Sequence, residues 1–437
     1  MTNNYVIRDA KYLVTVDETD RILQGATIVI IDGLISAINP ATIPTDRYYE
    51  EFNAEGHLIM PGLINTHTHL AMTLLRGWAE GVNLDGFLER VWAAEGAIMD
   101  KATSALGTEL GASEALLSGT TSTLDMYLNP DATHAAAVRV GLRHVAGPIF
   151  FDFPGLDGLD WKSRIEFARQ WPDIKKEIGG PQTPIYFMPH SVYTDSAEHL
   201  REVAELATEF GARIHIHVSE TIAENEMSAK VHRKSPTEVI RAAGILDHPT
   251  TYGHGVHLSD SDIEITARHH ASIGHCPGSN LKLGNGAADI LKYQSAGIAV
   301  GLGTDGCSSS NDLDMWSVMR LAAHMVTLHH TPADVDLSMI LRAATLEGAR
   351  ALGLAEVIGS VEVGKEADLI AIDLSALHLT PIHNVEALLV YAAGRSDVSD
   401  VWVAGNRVVR GRTLVNVDAN ELRARVETRM SALDSLR

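Results

Sequence analysis

At 437 residues, with 45% apolar and 21% charged side chains, the chain has the balance of a globular enzyme rather than a disordered or membrane-spanning protein. Its net charge of −21 repels phosphate backbones, which argues against nucleic acid and anionic membranes as partners and for a small-molecule substrate. The two cysteines, Cys276 and Cys307, form no C-x-x-C pair, so no disulfide framework is expected and the cytoplasm is the expected location.

The start, MTNNYVIRDA, lacks a basic segment followed by an apolar one, so no secretory leader is expected. Short strands follow at 11–16, 26–33 and 34–38, and Asp32-Gly33 between two apolar runs signals a hairpin. The tail has the same texture at 369–374 and 400–411. A small β-sandwich domain built from both chain ends, residues 1–58 and 366–437, is therefore expected.

The middle reads differently. Apolar runs at 58–70, 120–127, 144–153, 185–193, 213–220, 250–258, 271–280 and 297–306 alternate with helical stretches such as 102–119 and 197–211. Eight strands separated by helices predict an α/β fold, a (β/α)8 TIM barrel over residues 59–365. In such a barrel function sits at the C-terminal strand ends. Those ends carry His67, His69, Asp125, His190, His217, Glu220, His254, His275 and Asp305.

In 65-NTHTHL-70, strand alternation points His67 and His69 the same way, where two imidazoles can chelate one divalent ion. In 215-HIHVSE-220, His215 and His217 share a face, but His217 lies nearer the strand end and Glu220 follows in the loop. His254 and Asp305 stand at two further strand ends, and three histidines and one aspartate from these four strands would make a mononuclear site with an open position. Zinc suits these donors, with iron and manganese as alternatives. A catalytic zinc lowers the pKa of its water to about 7, which makes hydroxide available for attack on an electrophilic carbon. Asp305 can accept the water's proton, Glu220 can protonate a ring nitrogen, and His254 can steady the attacking oxygen.

The chain resembles the amidohydrolase superfamily, in the branch of 5′-methylthioadenosine/S-adenosylhomocysteine deaminases and their s-triazine hydrolase relatives. The likeness runs end to end. It rests on 61-PGLINTHTHLAMTLLRG-77, the H-x-x-E of His217 and Glu220, His254, 279-SNLKLGNG-286, 303-GTDG-306 and 359-GSVEVGKEADLIAIDL-374. The resemblance implies His67, His69, His217 and Asp305 as metal ligands, and Glu220 and His254 as catalytic residues. It also implies Glu95 as the acid that holds ribose hydroxyls and His190 as a substrate contact. Without it, Glu95 would pass for an ordinary helix-surface acid. Family members that take S-adenosylhomocysteine place arginines after the third strand, whereas 147-GPIFFDFPG-155 is apolar and acidic. The expected activity is hydrolytic deamination of an adenosine derivative, such as methylthioadenosine or adenosine. A homo-oligomer is the expected assembly.

Three other readings compete. An s-triazine, guanine or pterin hydrolase would use the same metal site. A binuclear amidohydrolase would need a lysine on the fourth strand, and 185-IYFMPHSVY-193 has none. An NAD-binding oxidoreductase is suggested by 301-GLGTDG-306, but a polar loop follows it, with no acid about 20 residues on.

Overall fold

A computed structural model describes residues 4–431. Eight parallel strands form the expected barrel: Leu63–Thr68, Thr120–Asp125, the third in two pieces at Arg143–Ala146 and Ile149–Phe150, then Tyr186–Pro189, Arg213–Val218, Thr250–His254, Ser272–His275 and Val300–Leu302. The third strand breaks at Gly147-Pro148, where proline has no N–H for the ladder. A Cβ on Gly147 would lie 2.0 Å from the Tyr186 carbonyl oxygen. The barrel closes where the Asp305 N–H donates to the His67 carbonyl at 2.9 Å.

The strands are buried on both faces, because helices cover the outside and side chains fill the inside. The helices start where the local chemistry says they should. Asp100 caps Lys101–Leu117 through the Thr103 N–H, and Ser196 caps Ala197–Phe210 through the His199 N–H. The second of these buries Leu200, Val203, Ala204, Leu206 and Ala207 along one face and stops at Gly211 with φ 58°.

The chain ends meet in two further sheets. One has the strand order Leu34–Ile38, Ala26–Ile31, Tyr5–Ala10, Glu50–Asn53. The other runs Thr413–Leu414, Asn406–Arg410, Val398–Val403, Leu369–Asp373, His57–Pro61, Tyr12–Val14, Ile22–Leu23. Ile7, Ile28, Leu13, Ile59, Leu369 and Trp402 pack between them. Asp32 and Gly33 make the expected hairpin turn, with φ of 52° and 83°.

One expected strand is two. The run 58–70 divides at Gly62: His57–Pro61 pairs antiparallel with Leu369–Asp373 in the small sheet, and Leu63–Thr68 begins the barrel. A Cβ on Gly62 would fall 2.2 Å from the Thr121 side chain, so only glycine permits this crossing. Buried Arg143 then ties barrel to sheet, its Nε and Nη2 donating to Asp368 at 2.9 and 2.8 Å. Among the described residues no helix is long and apolar enough to cross a membrane.

Candidate metal centre and cavity

The C-terminal strand ends gather most of the sequence-predicted residues at one place. His67, His69 and His217 each offer a ligand atom within 4.8 Å of the others, and so do His67, His254 and Asp305. Asp305 Oδ1 lies 3.1 Å from His69 Nε2 and 3.5 Å from His67 Nε2. All five residues are buried.

The outer ring nitrogens explain why the inner ones are available. His69 Nδ1 donates to the Met126 carbonyl at 2.5 Å, and His217 Nδ1 donates to the His190 carbonyl at 2.9 Å. His67 is held through one more ring. His215 Nδ1 donates to the Thr251 carbonyl at 2.8 Å, which leaves His215 Nε2 to accept from His67 Nδ1 at 2.7 Å. Carbonyl acceptors, directly or through His215, thus set the neutral tautomers of His67, His69 and His217 with Nε2 turned inward, while Asp305 outweighs burial at His69 and holds that ring up to about 9. Burial holds His67 down to about 4 and His217 well below the usual imidazole range, so both rings are neutral donors. His67 Nε2 is buried with no hydrogen-bond partner. An unpaired buried lone pair is costly, and a cation among these donors removes that cost. The donor set fits one divalent ion.

Asp305 is prepared as its anion. Burial raises its pKa, but the adjacent His67 and His69 rings outweigh that and hold it well below the usual range. Ser279 and Ser309 hydroxyls donate to Oδ2 at 2.6 and 2.7 Å, and the Gly306 N–H donates to Oδ1 at 2.8 Å. Asp305 (φ 60°), His254 (φ 73°) and Ser219 (φ 51°) all adopt left-handed backbone at strand ends, which re-aims the chain into the cavity. The segment 301-GLGTDG-306 is thereby accounted for. A Cβ on Gly301 would meet Thr66 Cγ2 at 2.3 Å, and one on Gly303 would meet the His67 backbone at 3.0 Å. Its glycines admit the first strand, and the helix that follows, Cys307–Ser310, has four residues. A dinucleotide site needs a longer helix opening there, so the NAD reading falls.

Glu220 lies beside this cluster, its Oε2 3.6 Å from His254 Nε2. Burial raises its pKa, which favours the protonated form. Asn285 Nδ2 donates to Oε1 at 2.8 Å, while Glu224 holds the Glu220 backbone N–H at 2.7 Å. His254 Nδ1 donates to Asn280 Oδ1 at 2.9 Å.

His69, His217, Glu220, His254 and Asp305 line a cleft of about 1060 Å³, its open mouth included, with His67 buried behind them. Glu95 faces it too, correcting the helix-surface reading. The helix Leu84–Ile98 leans over the barrel mouth, leaving Glu95 only 4% exposed, with the Tyr127 hydroxyl donating to Oε1 at 2.5 Å. Burial pushes its carboxyl up to about 7. His190 lines the cleft with a neutral ring, its Nδ1 near the hydroxyls of Thr194 at 3.1 Å and Ser191 at 3.2 Å. The opposite wall is apolar: Leu88, Trp92, Phe151, Phe153 and Leu156. Cys276 and Cys307 are buried free thiols outside that lining. His275 stays buried outside it as well, and Asp125 turns away toward His144.

Comparison with known proteins settles the family. Residues 58–408 match the model of the amidohydrolase family. The chain belongs to the amidohydrolase family. A family relative from Thermodesulfovibrio yellowstonii, named a 5-methylthioadenosine/S-adenosylhomocysteine deaminase, is 34% identical over 428 residues, 97% of each chain. Among solved structures, an adenosine deaminase from Xanthomonas campestris with bound zinc superposes with a TM-score of 0.93 at 34% identity, covering 99% of both chains. The zinc complex of atrazine chlorohydrolase from Arthrobacter aurescens TC1 gives 0.88 at 25% identity, covering 98% of this chain and 100% of that one.

Several contributors were not read as site residues, although Asn280 and Asn285 lie within 279-SNLKLGNG-286. His215, Asn280, Asn285 and Tyr127 act by holding other side chains, and only their distances reveal it. Spacing offered one hint, since His215 shares a strand face with His217.

Proposed function

We propose that the protein is a zinc-dependent deaminase of adenosine derivatives, with 5′-methylthioadenosine as the best-fitting substrate. The observation that carries this reading is the buried Glu95 carboxylate on the same cleft as the His67–His69–His217–Asp305 cluster. A riboside laid between them presents its diol to Glu95 and its amino-substituted ring to the cluster. An s-triazine, guanine or pterin has no diol for that acid. The names of the relatives agree with the reading, as does the zinc in two of the similar structures.

His67, His69, His217 and Asp305 would hold a divalent ion, which would supply a water acidified to a pKa of about 7 for the attack. Asp305, anionic and braced by two serines, accepts the proton of the attacking water. Glu220, whose burial favours the protonated acid, delivers a proton to the ring nitrogen beside the attacked carbon. Asn285 keeps that carboxyl in place. His254, its Nδ1–H given to Asn280, turns Nε2 to the incoming oxygen and accepts a hydrogen bond from it. The ring carbon gains oxygen, its bond to the amino nitrogen breaks, ammonia leaves with the proton that Asp305 took up, and the remaining hydroxyl proton returns to Glu220 as the carbonyl forms.

The wall beyond the ribose position supports the methylthio substituent. No cation stands in residues 147–157, and the next arginine, Arg164, is committed to Asp157 at 2.7 and 2.8 Å. Burying an amino-acid carboxylate against Trp92, Phe151 and Phe153 leaves it unpaired and costs several kcal/mol, whereas a methylthio group gains from the contact. The kcat/KM for S-adenosylhomocysteine is expected to fall about a hundredfold below that for methylthioadenosine. Equal values would overturn the apolar-wall assignment.

Tyr127→Phe frees Glu95 to rotate, so KM for ribosides is expected to rise about tenfold with little change in kcat, consistent with one hydrogen bond to a charged group. An unchanged KM would show that the Tyr127 bond does not order the acid. Two buried free thiols support a cytoplasmic location, and the net charge of −21 supports a small-molecule substrate over nucleic acid.

A further inference from the structure

We infer that Asp125 and His144 form a buried brace that sets the position of His69, which makes Asp125 a positioning residue for the metal centre. This rests on reading the histidine cluster as a metal site. Asp125 ends the second barrel strand and is 1% exposed, outside the cleft lining and out of reach of substrate. Its Oδ1 accepts the Leu70 N–H at 2.8 Å, and its Oδ2 accepts from His144 Nε2 at 2.8 Å.

The neighbouring residue completes the grip. The Met126 N–H donates to the Thr68 carbonyl at 3.0 Å, and the Met126 carbonyl accepts from His69 Nδ1 at 2.5 Å. Residues 125 and 126 therefore hold the peptides on both sides of His69 as well as its ring. The backbone alone selects the tautomer. The carboxylate adds control over where the chain turns, because the 3-10 helix Leu70–Leu75 has no capping side chain at its own start. Asp125 supplies the missing acceptor from the next strand.

A buried carboxylate with a single amide partner is expensive, and His144 answers that need. With His144 Nε2–H given to Asp125, His144 Nδ1 is left to accept from His134 Nδ1 at 3.2 Å. Both rings are about 1% exposed or less. The chain of donors thus runs from His134 through His144 to Asp125, which receives Leu70 from the other side. It stiffens one ligand of the centre without entering the cleft.

The test is zinc affinity, measured by competition with a chromogenic chelator on the folded protein. Asp125→Ala is expected to weaken zinc binding about 10-fold, the lower end of the cost of losing a ligating histidine's direct outer partner, because Asp125 reaches His69 through its flanking peptide. Asp125→Asn, which keeps an oxygen for Leu70, is expected to recover much of that loss. A purely structural role would lower the melting temperature of both variants and leave the zinc affinity of the folded protein alone. Zinc affinity within twofold of the parent in folded Asp125→Ala would overturn the brace. Should Asp125→Ala not fold, His144→Phe removes the donor while keeping the carboxylate, and an unchanged affinity there overturns it equally. The titration needs no substrate, so an absence of ammonia release would sink the deaminase reading and leave the brace standing. A parent protein that takes up no zinc would overturn both the brace and the metal site.

Discussion

Glu220→Gln is expected to retain its metal and to lose turnover by roughly 10²- to 10⁴-fold, the usual contribution of a positioned general acid. The prediction follows from the separation of roles at the centre. Glu220 is 4% exposed, is not in either group of potential metal ligands, and has a carboxyl whose pKa is raised by burial. Glutamine keeps the size and the hydrogen-bonding oxygen for Asn285 but has no proton to give. The protein should therefore bind zinc and substrate with near-parental affinity and stall at the chemical step. Elemental analysis together with kcat and KM checks this. An unchanged rate would show that another group protonates the ring.

His67→Ala is expected to abolish tight zinc binding, with affinity falling more than about 100-fold, beyond the loss for an outer-sphere partner. His67 belongs to both triads of potential ligand atoms, and its Nε2 is the buried nitrogen left without a partner. Its removal also leaves His215 Nε2, itself fully buried, without its hydrogen-bond donor. Activity should fall with metal content and should return in part at high zinc concentration. Full metal occupancy with normal turnover in His67→Ala would refute ligand status. His215→Asn, by contrast, leaves all ligands present and is expected to weaken zinc by about 10- to 100-fold, the range of an outer partner.

Much of the site was legible in the sequence because the barrel imposes a simple geometry. A polar residue at the end of a predicted parallel strand faces the mouth, so His67, His69, His217, His254 and Asp305 announced themselves by position. Where that rule weakens, so did the reading. Asp125 and His275 also end strands, yet Asp125 turns back to His144 and His275 stays buried outside the cleft lining. Glu95 stands on a helix whose pattern gives no sign that it leans over the mouth, and only tertiary packing buries it. The run 58–70 is continuously apolar through residue 64, which conceals that Gly62 hands it from one sheet to another. Strands Tyr5–Ala10 and Glu50–Asn53 were not anticipated. The second, EEFN, has a single apolar residue and owes its form to pairing with the first.

The most direct measurement is ammonia release by the zinc-loaded protein from 5′-methylthioadenosine, set beside adenosine, S-adenosylhomocysteine, guanine and aminotriazines. The predicted result is one ammonia per nucleoside, fastest with methylthioadenosine and lost in Glu220→Gln. Turnover of guanine or an aminotriazine, with none of either methylthioadenosine or adenosine, would contradict it.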